Sequence, residues 1–530
     1  MTASAHIDRF VIDRLPPADQ QPTLVFDGLN YPDRLNAATE LLRRALASAG
    51  PEAPALIDFD LEFSWGRVDA ISSRMAKVLV EEMGLVPGNR VLLHGPNASW
   101  TVMAWFAILK AGGVVVATMP MLRASELAVV IDKAQVSHAL VYAAFANVVA
   151  EAQSLAPTLK HVMDSATLQA ACMTRSADFT PVDTSAEDPA LIAFTSGTTG
   201  KPKGCVHFHR DVLAMGDTFA KHIVRLSKDD IVVGTPPIAF TFGLGGLVVF
   251  PAAVGAATAF PDRPGFDALA EVIAQRSATA LFTAPTGYRA LLKLTGQHDL
   301  SSLRTCVSAG EALPAATSDA WHQVTGVRII DGIGSTEMIH VFISACGGDI
   351  RPGATGKAVP GYEARIQDED GHPVPAGETG RLAVRGPTGC RYLDDTRQAA
   401  YVRDGWNLTG DIYRQDADGY FWFVARADDM IVSSGYNIGA PEVENALLSH
   451  PAVAEAAVIG APDEERGQIV KAFVVLNAGH APSDALRTAL QDHVKAVIAP
   501  YKYPRALDFV DALPKTTTGK IQRFRLKVDT

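Results

Sequence analysis

LIAFTSGTTGKPKGCVHFHR, residues 191–210, places four apolar residues ahead of a ten-residue run of glycine, hydroxyl, lysine and proline. The apolar four read as the end of a strand buried on both faces. Gly197, Gly200 and Gly204 let the backbone turn and approach an anion closely. The hydroxyls of Thr195, Ser196, Thr198 and Thr199 can donate to phosphate oxygens, and Lys201 and Lys203 add charge. A Walker-type loop needs a serine or threonine directly after its lysine, and Pro202 stands there instead. The stretch therefore predicts a phosphate cradle of another kind, seated in an α/β body.

Working outward, short runs rich in Val, Ile and Leu recur between longer amphipathic segments: RVLLHG (90–95), GVVVAT (113–118), ALVYA (139–143), ALFTAP (280–285), TCVSAG (305–310) and VRIIDG (327–332). Such runs suit parallel strands joined by crossover helices, with ligand loops at their Gly, Pro and Ser ends. From about residue 361 close turns such as QDEDGHPVPAGETG and RQDADGYFW predict antiparallel hairpins. After RADDM (426–430) the helix candidate APEVENALLSH, the strands VAEAAVIG and KAFVVLNAG and a second helix around 483–498 predict a separate α+β unit.

At 530 residues the chain is long enough for two or more domains. Its 48% hydrophobic and 20% charged residues suit a globular enzyme, and its net charge of −11 argues against nucleic acid or an anionic membrane as the partner. The uncharged stretch 231–260 reaches the length of a membrane span, but Pro236, Pro237, Pro251 and several glycines read instead as a buried strand, loop and helix. The opening MTASAHIDRF does not read as a signal peptide, and five scattered cysteines form no C-x-x-C pair, so a cytoplasmic location is expected. His207 and His209 resemble a metal pair but lack a third ligand at suitable spacing, and Cys205 reads as a small buried apolar residue.

TSGTTGKPKG, followed in order by SAGEALP (308–314), DGIGSTEM (331–338), GWNLTGD (405–411), RADDMIVSSGYNI (426–438) and PKTTTGK (514–520), resembles the motif series of the adenylate-forming superfamily along almost the whole chain. The resemblance implies an α/β fold: a large N-terminal domain of mainly parallel sheets with a small β-rich subdomain, residues 1–427, and a mobile small α+β C-terminal domain, residues 428–530. It implies ATP, Mg2+ and CoA as cofactors and a small aromatic carboxylic acid as the other partner. A carboxylate would displace pyrophosphate to give an acyl-adenylate, which a thiol then attacks.

Residue by residue, the resemblance assigns Thr195, Ser196, Gly197, Thr198, Thr199, Gly200 and Lys203 to the triphosphate, Thr336 to the α-phosphate, and Glu337 to magnesium. Lys520 would reach carboxylate and α-phosphate together. Asp411 would accept from the ribose hydroxyls beside Arg426. Gly310, Glu311, Ala312, Asp331, Gly332 and Ile333 would frame adenine, with Ile333 standing where many relatives carry an aromatic. Asp428 matches the hinge, preceded by Ala425 in place of a glycine. Ser434, Gly435 and Tyr436 would contact CoA. The acyl pocket would use Phe240, Phe242, Gly243, Ala309, Ile333, Gly334 and His340. PPIAFTFGLGG, DGIGSTEMIH and the N-terminal DRLPPADQQPTLVFDGLNYPDRLNAA resemble benzoate- and 2-aminobenzoate-CoA ligases. Loading of a carrier-protein thiol, a non-catalytic nucleotide-binding protein and a luciferase-like oxygenase stay open as alternatives at this point.

Overall fold

A computed structural model of the chain describes residues 3–195, 202–433, 436–463, 466–515 and 521–526. Every one of the apolar runs quoted above becomes a strand: Arg90–His94, Val114–Thr118, His138–Val141, Ala280–Phe282, Thr305–Ala309 and Ile329–Gly334. They divide between two sheets. The first runs in the order His161–Asp164, His138–Val141, Arg90–His94, Val114–Thr118, Pro189–Thr195, Lys203–Phe208. Its neighbours are parallel until the last pair, which is antiparallel.

The second sheet has nine strands, with a parallel centre of Pro54–Ile57, Ala257–Ala259, Ile231–Gly234, Ala280–Phe282, Thr305–Ala309 and Ile329–Gly334. Antiparallel strands close both edges, Glu62–Ser64 at one and Val341–Ser344 with Lys357–Ala358 at the other. The helix Ser99–Lys110 is buried almost all round, which its sequence SWTVMAWFAILK allows because no face of it is polar. Stretch 231–260 folds as a strand, a helical run over residues 241–254 and a second strand, Ala257–Ala259. Among the described residues no helix is long and apolar enough to cross a membrane.

The turn-rich segment after residue 361 forms a five-stranded antiparallel sheet of Glu363–Gln367, Thr379–Arg385, Val402–Arg403, Trp406–Gln415 and Phe421–Arg426. Beyond the turn Ala427–Asp429, the helices Ala440–Leu448 and Asp484–Val497 pack on a sheet of Val453–Asp463, Gly467–Leu476 and Ala506–Phe509. This part has its own core, in which Ile431, Val443, Leu447, Val458, Leu490 and Val494 meet. The architecture is the expected one: a large α/β portion with mainly parallel sheets, a β-rich unit, and a smaller α+β portion.

Candidate nucleotide and acyl site

The strands that flank the glycine-rich run form a hairpin pair. Strands Pro189–Thr195 and Lys203–Phe208 pair antiparallel with Thr195 opposite Lys203, so the run connects strand to strand, and a helix follows only at His209–Met215. A Walker loop leads from a strand straight into a helix, which is the physical reason its spacing fails here. Thr195 and Lys203 thus stand side by side at the mouth of the loop.

Lys203 reaches across to the STE segment. Its ammonium lies 3.3 Å from Glu337 Oε1 and donates to the Tyr392 hydroxyl at 2.7 Å, while that hydroxyl donates to the same Oε1 at 2.6 Å. The ammonium also faces the rings of Tyr392 and Tyr401, at 4.7 and 5.9 Å from their centroids. Burial, reinforced by the Glu337 carboxylate, pushes the Tyr392 phenol far above its ordinary pKa, so it remains a neutral donor. Glu337 is 8% exposed, and its Oε2 accepts no hydrogen bond among the described residues. A hard carboxylate oxygen left open beside a phosphate loop is the donor that magnesium prefers, so this residue set fits that ion.

Thr336 is held from behind. Its carbonyl accepts from the backbone N–H of Ile339 at 3.1 Å and from His207 Nε2 at 2.7 Å. A carbonyl cannot donate, so Nε2 carries the proton. The other ring nitrogen, Nδ1, lies 3.6 Å from Asp211 Oδ2, and both side chains are wholly buried. Ile339 completes the turn in the left-handed region at φ 63°, a costly conformation for a β-branched residue. Ahead of that turn, residues 336–337 meet the hairpin through His207 and Lys203, and His340 follows it.

His340 sits among aromatic rings, 4.7 Å from Phe250, 5.3 Å from Phe219 and 5.9 Å from Phe242 between centroids. Burial holds the imidazole neutral and pulls its pKa down to about 3. Two glycines make the close packing possible. A Cβ on Gly245 would overlap the His340 ring, and one on Gly334 would lie 2.7 Å from the His340 carbonyl oxygen. The structure therefore joins Phe242, Gly334 and His340, whereas Phe240 turns toward Trp105, Val115 and Leu191 around a cavity of about 10 Å³. Ala309 ends the neighbouring strand, in register with Gly332.

Asp411 and Arg426, the residues expected at a ribose, lie in contact. Asp411 and Arg426 are direct partners across the hairpin Trp406–Gln415/Phe421–Arg426, and Arg426 Nη1 donates to Asp411 Oδ1 at 2.9 Å. Asp331 precedes Gly332 and Ile333 at the end of its strand. Its Oδ1 is buried without a hydrogen-bond partner among the described residues, and burial raises its carboxyl pKa to about 7. Gly310, at φ 88°, begins the turn that carries Glu311 and Ala312 beside it. His207 and His209 face different partners, since His209 Nδ1 accepts from the Ala37 N–H. Cys205 is buried, as expected, and burial raises its thiol pKa well above normal.

Expectations for Ser196, Gly197, Thr198, Thr199, Gly200, Ser434, Gly435 and Lys520 fall outside the described residues, as do the side chains of Asp428 and Tyr436. Tyr392, Tyr401, Asp211, Phe219 and Phe250 carry much of the site and were not legible as site residues. Nothing in RYLDDTRQAAY (391–401) signals a phosphate-site contact, beyond two tyrosines amid charges.

The AMP-binding enzyme family matches residues 43–391, and the AMP-binding enzyme C-terminal domain matches residues 442–520. A benzoate–CoA ligase of Thauera aromatica is 36% identical over 510 residues, covering 94% of this chain and 97% of the relative. The crystal structure of the anthranilate CoA ligase AuaEII in complex with anthranoyl-AMP is 36% identical with a TM-score of 0.89, over 94% of this chain and 98% of that one. A benzoate CoA ligase from Burkholderia xenovorans LB400 is 32% identical with a TM-score of 0.84, over 93% and 99% of the two chains. With the family model matching residues 43–391 and the relatives covering almost the whole chain, the chain belongs to the AMP-binding enzyme family of adenylate-forming enzymes.

Proposed function

We propose that this acid–thiol ligase activates benzoate or 2-aminobenzoate with ATP and passes the acyl group to CoA, releasing AMP and pyrophosphate. The observation that carries the reading is the turn Thr336–His340. It sets a phosphate-facing end, tied to Lys203 through Glu337, directly against a neutral aromatic cage of Phe219, Phe242, Phe250 and His340. Of these rings Phe242 is only half-buried, and a flat substrate ring would stack on its open face with the carboxylate turned to the phosphate end, while the buried Phe219, Phe250 and His340 fix the Phe242 ring from behind. Relatives named for benzoate and anthranilate support the same choice.

In this reading Lys203 and the loop hydroxyls neutralise the triphosphate, bringing two anions together against their repulsion. Glu337, through its open Oε2, would hold magnesium, which when bound would supply further positive charge for the phosphates. Asp411 binds the ribose, with Arg426 fixing its carboxylate. Lys520, delivered by the C-terminal domain, bridges carboxylate and α-phosphate. A domain border at 427/428 lets that domain exchange Lys520 for a CoA passage lined by Ser434, Gly435 and Tyr436. The carboxylate oxygen attacks the α-phosphorus and pyrophosphate leaves. The CoA sulfur then attacks the acyl carbon and AMP leaves.

CoA- and ATP-dependent AMP release, measured across benzoate, 2-aminobenzoate, hydroxybenzoates and octanoate, tests this directly. Benzoate or 2-aminobenzoate should give the highest kcat/KM. A preference for octanoate overturns the aryl assignment, and AMP release that needs a carrier protein in place of CoA overturns the thiol.

A further inference from the structure

Tyr392 lies outside every motif of the phosphate site, yet one hydroxyl connects that site's cation to its carboxylate. The direction of its bonds is fixed by chemistry. An ammonium only donates and an ionised carboxylate only accepts, so the hydroxyl takes a bond from Lys203 at 2.7 Å and gives its own proton to Glu337 Oε1 at 2.6 Å. Tyr392 is itself immobilised. It is 1% exposed, its N–H donates to Gln398 Oε1 at 2.9 Å, and its segment pairs with the outer edge of the phosphate hairpin. On either side of it, Val206 N–H donates to the Arg391 carbonyl and Leu393 N–H to the Gly204 carbonyl, each at 2.8 Å. The Tyr392 backbone is therefore registered to the same strand that carries Lys203.

We propose that Tyr392 is a positioning residue for the metal–nucleotide chemistry, holding Glu337 so that Oε1 is committed to the protein and Oε2 stays open for a divalent cation. The inference rests on the function proposed above. Without nucleotide, Glu337 Oε1 has two partners, Lys203 and Tyr392. A triphosphate draws the ammonium toward its own oxygens, and a carboxylate that is 8% exposed would then lose half its support. The hydroxyl keeps its bond through that exchange, so the carboxylate neither rotates nor sits bare. The Tyr401 ring, 5.8 Å from Tyr392 and edge-on to it, walls the other side of the Lys203 seat and limits where the ammonium travels.

The test compares Tyr392→Phe, which keeps the ring and loses only the hydroxyl, with wild type. The affinity for Mn2+ with a non-hydrolysable ATP analogue is read from the free Mn2+ signal by electron paramagnetic resonance. AMP affinity is measured in EDTA. A positioning role weakens Mn2+–nucleotide binding by about tenfold, the cost of one charge-assisted hydrogen bond, and leaves metal-free AMP binding unchanged. Adding Glu337→Gln gives a double-mutant cycle that reads the coupling even where a variant's melting temperature shifts, and the two losses should not add. Mn2+–nucleotide affinity within about twofold of wild type, an equal loss for AMP, or additive losses in the cycle each overturn the proposal. Absence of acid-dependent pyrophosphate exchange in the wild-type protein would count against the proposed reaction instead, and the Mn2+ comparison still decides the role of Tyr392.

Discussion

His207 and Thr336 are tied by a 2.7 Å hydrogen bond from the imidazole Nε2 to the threonine carbonyl, which joins the phosphate hairpin to the STE turn from behind. With the Lys203–Glu337 contact in front, the hairpin and the STE turn, the two segments proposed to meet phosphate, are fastened at two points. Preorganisation of this kind removes the cost of ordering the turn when nucleotide arrives. His207→Leu should lower kcat/KM for ATP in acid-dependent pyrophosphate exchange by about tenfold, the scale of one lost positioning bond. His207→Gln keeps an N–H donor and should retain most of the activity. Identical rates in all three proteins would show that the tether does nothing for the chemistry.

The two half-reactions separate Lys520 from the rest of the site. Lys520→Ala removes the donor proposed to bridge carboxylate and α-phosphate and should lower adenylation by about 10² to 10³. Transfer from preformed acyl-adenylate to CoA should change little. Asp428→Pro stiffens the proposed hinge and should show the reverse pattern. Pyrophosphate exchange and thioester formation, assayed side by side, check both, and equal loss in the two half-reactions of Lys520→Ala removes its assigned role.

Asp331 makes stability depend on pH in a stated direction. Burial raises its carboxyl pKa from 3.8 to about 7, so between these values the folded protein binds the proton that the unfolded chain has released. Stability from this group is therefore lost as pH rises from about 4 to about 7, by at most about 4 kcal/mol for a shift of about three units. Asp331→Asn should melt progressively higher than wild type from pH 5 to pH 8 in differential scanning calorimetry. A difference in melting temperature that stays constant with pH would contradict the burial account.

Arg523 roots the segment that follows Lys520. Its guanidinium grips both oxygens of the buried Glu444, at 2.9 and 2.8 Å, and lies 3.8 Å from Asp429. Arg523→Met leaves a buried carboxylate without its cation and should destabilise the C-terminal portion by about 3 kcal/mol. Arg523→Met with Glu444→Met removes both charges and should recover most of that loss. Urea unfolding followed by a C-terminal probe distinguishes them, and a double variant no more stable than the single one would argue against the ion pair as the cause.

How far the residues could be read before folding follows from the range of the forces involved. Runs such as VRIIDG declare parallel strands because burial on both faces demands apolar residues at every position. The family resemblance sets Arg426 beside Asp411, and the hairpin register that makes them cross-strand partners is shown by the fold. The composition of TSGTTGKPKG predicts a phosphate cradle, and only the fold shows that the strands on either side of it pair antiparallel.

The sequence by itself determined the α/β plan, the motif order and the residue types proposed to meet phosphate, because strand pattern and turn chemistry are written locally. Tertiary structure alone decided what completes the site. Tyr392 reaches Glu337 across 55 residues, His207 reaches Thr336 across 129, and Lys203 reaches Glu337 across 134. No local periodicity encodes such pairs. They exist because two sheets, each burying its own apolar strands, bring their loop ends to one place, where buried charges must find partners.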